Sequence, residues 1–301
     1  MVGQWSIIDA SAWELAGEEP QGQRRHPWLR HESRERTWLF KETVVEANRF
    51  LHEDLTEKIA SELAAHFGIP AATVDLAQRH GARGCLVEDL RWSMGSDQPG
   101  QVLLARVPDG YDEHDKHHHG HSVDNIKLAL DGFAAPPGSP TPAHFVAFDV
   151  FVGYLIFDAL IANSDRHDRN WAVLTRPPGE PGRDALCGSY DHASSLGFNL
   201  SDEERGRRLA ARTVESWARR GKARQFERVK GQPSQSLVGL AGSAVQRCSD
   251  EVREHWRGAV LSVQADVVHE VLDATPGLSE VVRSFTQEVI MINRRRLRDA
   301  L

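Results

Sequence analysis

Several protein classes are excluded by what this sequence lacks. It has only three cysteines in 301 residues, Cys85, Cys187 and Cys248, and their wide spacing offers neither a disulfide framework nor a zinc site. Composition therefore gives no support for redox chemistry. No run of 18 or more apolar residues occurs, and Met1 to Ala10 has neither a basic start nor an apolar stretch, so neither a membrane span nor a signal peptide is expected. These absences fit a cytoplasmic protein. No repeat recurs at a fixed period, and net positive charge is missing too: a formal charge of −7 argues against coating of nucleic acid, so direct nucleic-acid binding is not expected. What is present, 40% apolar and 26% charged residues, can bury a sizeable core as one large domain or two lobes.

Residues 1–40 read as short β segments with turns. Gln4 to Ile8 is mostly apolar, Gly17 to Gly22 is a polar turn, and Trp38-Leu39-Phe40 runs into Lys41. The turn at 21–25, with Gly22 and Arg24, reads either as a loop lying over phosphates or as a polar hairpin. Leu55, Ile59, Leu63 and Phe67 recur every four residues and stop at Gly68-Ile69-Pro70, which predicts an amphipathic helix over 54–67. Strands at 73–77 and 84–87 flank a turn, and Val87-Glu88-Asp89-Leu90 is the expected junction between a β-rich part, 1–90, and a mainly helical part, 91–301.

Beyond the junction the pattern loosens. Five histidines between His114 and His121 read as a solvated loop, with adventitious metal binding as the other reading. A short helix over 122–130 precedes a Pro-rich stretch, 134–142, that reads as a flexible connector. Apolar residues at 145, 148, 151, 152, 155, 156, 159 and 160 predict a long buried helix over 145–162. Strands at 171–175 and 185–187 follow, and helical spacing returns at 260–272 and 278–297. The segment 205–230 carries ten Lys/Arg, either a solvated helical face or an attraction for an acidic substrate.

The chemistry concentrates in Asn163-Ser164-Asp165-Arg166-His167-Asp168-Arg169-Asn170-Trp171. An Asp with an Asn five residues later, between a buried helix and a short strand, is the arrangement of a kinase catalytic loop. Asp165 is placed to orient an acceptor hydroxyl and take its proton. Asn170 and Asp191, the latter 21 residues further on, can hold Mg²⁺ through hard oxygen ligands. Lys41, ending an apolar strand, can neutralise ATP phosphates, paired with Glu57 or Glu62 of the next helix. Glu88 marks the nucleotide edge at the junction. His167 reads as a supporting residue of the loop.

Asp165-Arg166-His167-Asp168-Arg169-Asn170, followed by Ser189-Tyr190-Asp191, resembles the catalytic and metal motifs of HipA-like kinases. Trp38-Leu39-Phe40-Lys41 and the helix from Glu57 to Gly68 are similar to the strand lysine and following helix of that family, and the catalytic loop is also similar to that of phosphoinositide 3- and 4-kinases. The resemblance implies an α+β, protein-kinase-like, two-lobed fold and an ATP- and Mg²⁺-dependent kinase acting on a protein Ser/Thr hydroxyl. Glu18 to His26 has no Ser, so inhibition by phosphorylation of that loop is not expected. Nor is a toxin role with a DNA-binding antitoxin expected of a chain that begins near the kinase region. The other readings are a phosphoinositide or small-molecule kinase of the same fold, a nucleotide-binding pseudokinase scaffold, and an HD-type metal phosphohydrolase, whose fold is all-helical.

Overall fold

The computed structural model of the chain describes residues 3–18, 25–46, 49–108 and 110–301. Its N-terminal part is a six-stranded sheet built from β1 (Ile8–Asp9), β2 (Glu14–Glu18), β3 (Pro27–His31), β4 (Arg34–Glu42), β7 (Val74–Arg79) and β8 (Ala82–Glu88), with a two-stranded ribbon of β5 (Val45–Glu46) and β6 (Arg49–Phe50) beside it. The strand order is β1-β7-β8-β4-β3-β2; β1 runs parallel to β7 and the other neighbours are antiparallel. Gln4 to Ile8 is therefore not a strand of its own: only Ile8 and Asp9 pair. Gly17 and Glu18 lie inside β2 rather than in a turn, and of the expected phosphate-loop turn at 21–25 residues 21–24, with Gly22 and Arg24, lie outside the described residues.

Helix α1 (Glu53–Phe67) follows the Lys41 strand, as the four-residue spacing predicts. It ends on Gly68, whose left-handed backbone (φ 85°) lets its N–H bond the Ala64 carbonyl, a conformation costly for any residue with a Cβ. Its apolar face packs on β7 and β8, which join through a tight turn with positive φ at His80 and Gly81. A short 3₁₀ turn, Leu90–Ser93, leads out of β8. Next comes β9 (Ser96–Pro99), a strand the sequence pattern did not mark, and it pairs with β10 (Ala172–Thr175), which in turn pairs with β11 (Ala185–Leu186).

Helices make up the remainder: α2 (Gly100–Leu104), α3 (Val123–Ala129), α4 (Ala147–Leu160), α5 (Asp202–Ala210), α6 (Val214–Arg219), α7 (Leu237–Val245), α8 (Asp250–Ser262), α9 (Ala265–Ala274) and α10 (Glu280–Ala300). Helix α4 is apolar on every side and buried along nearly all its length, so it must be enclosed; α7, α8 and α10 pack around it. Tyr154 of α4 donates from its hydroxyl to the Cys187 carbonyl at 3.0 Å, tying the helix to the chain beyond β11. The expected helix over 260–272 is two helices broken at Val263 and Gln264, because Gln264 takes an extended backbone and starts α9. The Pro-rich stretch is not a free connector either: Ala134 bridges both Val146 and Ala185. No helix among the described residues is long and apolar enough to cross a membrane.

Candidate active site

Helix α4 delivers the chain to the loop at 163–171, and two buried polar residues set that loop's shape. Asn163 donates to Asp158 at 2.8 Å and accepts the Asp165 N–H at 3.1 Å. Arg166, almost fully buried, grips both oxygens of Asp158 at 2.8 Å each. The same guanidinium donates to the carbonyls of Asn170 (2.7 Å) and Tyr190 (3.2 Å) and to the Ser189 hydroxyl (2.9 Å). One side chain thus fastens the Asp165 loop to the Ser189-Tyr190-Asp191 segment, and Tyr190 adds a second tie from its hydroxyl to the Arg169 carbonyl at 3.0 Å.

On this frame Lys41 Nζ meets Asp191 Oδ1 at 2.7 Å, joining residues 150 positions apart. Glu57 Oε2 stands 4.0 Å from the same ammonium, while Glu62, the other expected partner, is taken by Lys58 at 2.6 Å. Burial alone would push the Lys41 ammonium toward neutrality, but the Asp191 and Glu57 carboxylates outweigh it and hold its pKa above that of a free lysine. Asp191 responds in kind: burial raises it, and the attraction of Lys41 outweighs burial and holds it far below the usual carboxylate range. Glu57 is pushed up by burial; its Oε1 accepts the His192 N–H at 2.9 Å, and its Oε2 is buried without a hydrogen-bond partner. Asp191 has a left-handed backbone, φ 61°, a strained conformation that frequently accompanies functional side chains.

Asp165 accepts a bond from Gln225 Nε2 at 2.6 Å on one oxygen and from Ser194 Oγ at 3.4 Å on the other. Asn170 Nδ2 donates to the Asp165 carbonyl at 2.8 Å, which fixes the amide and leaves its oxygen as the acceptor end. His167 Nδ1 accepts the Arg169 N–H at 3.1 Å, and burial lowers its pKa, so the ring is a neutral support of the loop. Glu88 stays within the sheet: its carboxylate is ion-paired with Arg36 and accepts the Thr73 N–H at 3.4 Å. Thus Lys41, Glu57, Asp165, His167, Asn170 and Asp191 gather in one place, the Glu88 carboxylate is engaged elsewhere, and Gly22 and Arg24 are outside the described residues.

Sequence reasoning missed five supporting residues. Arg166 and Asp158 carried one signal, an acid inside an apolar helix pattern. His192, buried and neutral, shares a bond with Ser189 Oγ at 2.8 Å. Gln225 had no signal at all. His121 belongs to the histidine stretch but is not solvated: it is buried, accepts from Trp171 Nε1 at 3.3 Å and donates from Nδ1 to the Gln225 carbonyl at 2.5 Å. Among the described residues, no group of three or more His, Cys, Asp or Glu gathers as a metal site.

Residues 13–259 match the HipA-like C-terminal domain family. The chain belongs to that family. This HipA-like chain shares its fold with the Helicobacter pylori proinflammatory kinase CtkA: the TM-score is 0.75 at 13% identity, over 98% of this chain and 96% of that one. It is also similar to the Shewanella oneidensis MR-1 toxin–antitoxin complex of HipA, HipB and operator DNA, with TM-score 0.53 at 13% identity, covering 87% of this chain and 60% of the other. The comparison with curated proteins found no match. The HipA-like fold is kinase-like and α+β, and its six-stranded sheet is incompatible with the all-helical HD-type phosphohydrolase.

Proposed function

We propose that this HipA-like chain is an ATP- and Mg²⁺-dependent kinase that transfers the γ-phosphoryl group to a Ser/Thr hydroxyl of a protein, itself included. The observation that carries the reading is the Lys41–Asp191 ion pair at 2.7 Å beside Asp165 and Asn170, in the order phosphoryl transfer requires. The donor set fits Mg²⁺, since the Asp191 carboxylate and the Asn170 amide oxygen are hard oxygen ligands. Asp191 and Asn170 would hold the ion, and it would supply neutralisation of the phosphate charge. Lys41 occupies Asp191 as a cation would, and Glu57 Oε2, buried without a hydrogen bond 4.0 Å away, is the partner to which the ammonium turns when it leaves Asp191 for the phosphates. Asp165 orients the acceptor hydroxyl and takes its proton, as the hydroxyl oxygen bonds the γ-phosphorus and the bond to the β-phosphate oxygen breaks.

Incubation with γ-labelled ATP, with and without added cell extract, followed by phosphoamino-acid analysis tests this. Label is expected on Ser or Thr with Mg²⁺ and none with a chelator. Label that moves only to water, lipid or a small molecule contradicts the protein-kinase reading.

A further inference from the structure

The charge of the segment 220–230 runs against that of the chain. It carries Arg220, Lys222, Arg224, Arg228 and Lys230 against one acid, Glu227, in a protein with a formal charge of −7. Glu227 is already bonded to His119 at 2.9 Å. Arg228 is spent on the Lys116 carbonyl at 2.7 Å and other uncharged or histidine groups. The segment has little regular secondary structure, yet it is firmly held. Ala223 and Phe226 are buried, Phe226 stacks on His121 with ring centroids 4.5 Å apart, and the N–H groups of Ala223, Glu227 and Arg228 bond the carbonyls of Gln235, His121 and His117. Arg224 is consequently presented to solvent, and Gln225 reaches Asp165 at 2.6 Å. A fixed basic edge therefore lies directly beside the proposed proton-accepting carboxylate.

We infer that the strip around Lys222 and Arg224 docks an acidic segment of the protein substrate, so that carboxylates flanking the acceptor Ser or Thr select it. This rests on the kinase reading of the same site. Charges at such an edge steer and align a partner of opposite sign more than they anchor it. Val229, exposed among the cations, favours a peptide over a bare polyanion, since it offers an apolar contact that phosphate backbones do not use. Gln225 holds Asp165 until the hydroxyl arrives, and its amide then yields that oxygen or keeps it oriented.

The test compares three Ser peptides of one length, flanked by Glu, Gln or Lys, with wild type, Lys222→Glu/Arg224→Glu and the charge-conserving Lys222→Arg/Arg224→Lys. Wild type is expected to prefer the Glu peptide over the Gln peptide about tenfold in kcat/KM at low salt, chiefly through KM. The preference collapses to about one in the Glu variant and survives in the charge-conserving one. Transfer to all three peptides with equal efficiency overturns the docking inference and leaves the kinase reading intact. If no peptide or protein is phosphorylated, the kinase reading falls. Fluorescence anisotropy of the labelled Glu peptide then decides docking alone: binding lost in the Glu variant and at roughly 0.5 M salt upholds it. No binding, or binding of a single-stranded oligonucleotide in its place, overturns it.

Discussion

A buried guanidinium needs partners for five N–H groups, and Arg166 finds all of them: two on Asp158, and one each on the Asn170 carbonyl, the Tyr190 carbonyl and the Ser189 hydroxyl. Removing it leaves Asp158 as an uncompensated buried charge. Arg166→Met is expected to cost about 3–5 kcal/mol in urea unfolding and to abolish activity even where the chain still folds. His121 gives a prediction in pH. Burial holds its pKa down to about 4, against an ordinary 6.5, so the folded chain keeps the ring neutral while the unfolded chain protonates it. The stability this contributes is full above 6.5 and is lost as pH falls toward 4, on the order of 3 kcal/mol in all. Urea unfolding between these limits should show a slope that His121→Asn flattens by about one proton; an unchanged slope would contradict it. The candidate site residues Lys41, Glu57, Asp165, Asn170 and Asp191 could be singled out because each stands at a fixed place relative to a periodic element. Arg166, His121, His192 and Gln225 were not, because their roles come from partners the fold brings together. A histidine-rich run reads as solvated until Trp171 and Gln225 are seen to enclose one of its rings.

At the scale of elements, the strand bearing Lys41 depends on the closeness of its neighbour. Gly84 of β8 lies against β4, and a Cβ there would fall 2.2 Å from the Lys41 carbonyl oxygen, a backbone atom that can move only with its strand. Gly84→Ala is expected to destabilise the chain by about 1–3 kcal/mol and to weaken ATP binding severalfold as Lys41 shifts from Asp191. Chemical unfolding and nucleotide titration on the same preparation check both. Helix α1, the β7–β8 hairpin and helix α4 were legible, since each carries a long apolar period or a glycine stop. Strand β9 was not: Ser96–Pro99 has no β pattern and is a strand only because β10 lies beside it. The α8–α9 break was hidden for the converse reason, apolar spacing that continues through Val263 while the backbone turns.

For the whole molecule, the α+β character and the order of motifs could be read from the chain, because a β-rich start, one amphipathic helix and a helix-rich remainder admit few layer arrangements. How the last hundred residues enclose α4 could not. Nor could the placement of segment 220–230 against Asp165, which Gln225 reaches at 2.6 Å, since nothing in its composition points there. In the proposed function, the Asp165, Asn170, Asp191 and Lys41 cluster performs phosphoryl transfer to a hydroxyl. Single-turnover transfer from labelled ATP, measured for wild type and Asp165→Asn with ATP affinity determined on both, tests it most directly. Loss of about 10²–10⁴ in the transfer rate with ATP affinity unchanged is the predicted result. An Asp165→Asn chain that transfers phosphate at the wild-type rate would contradict it.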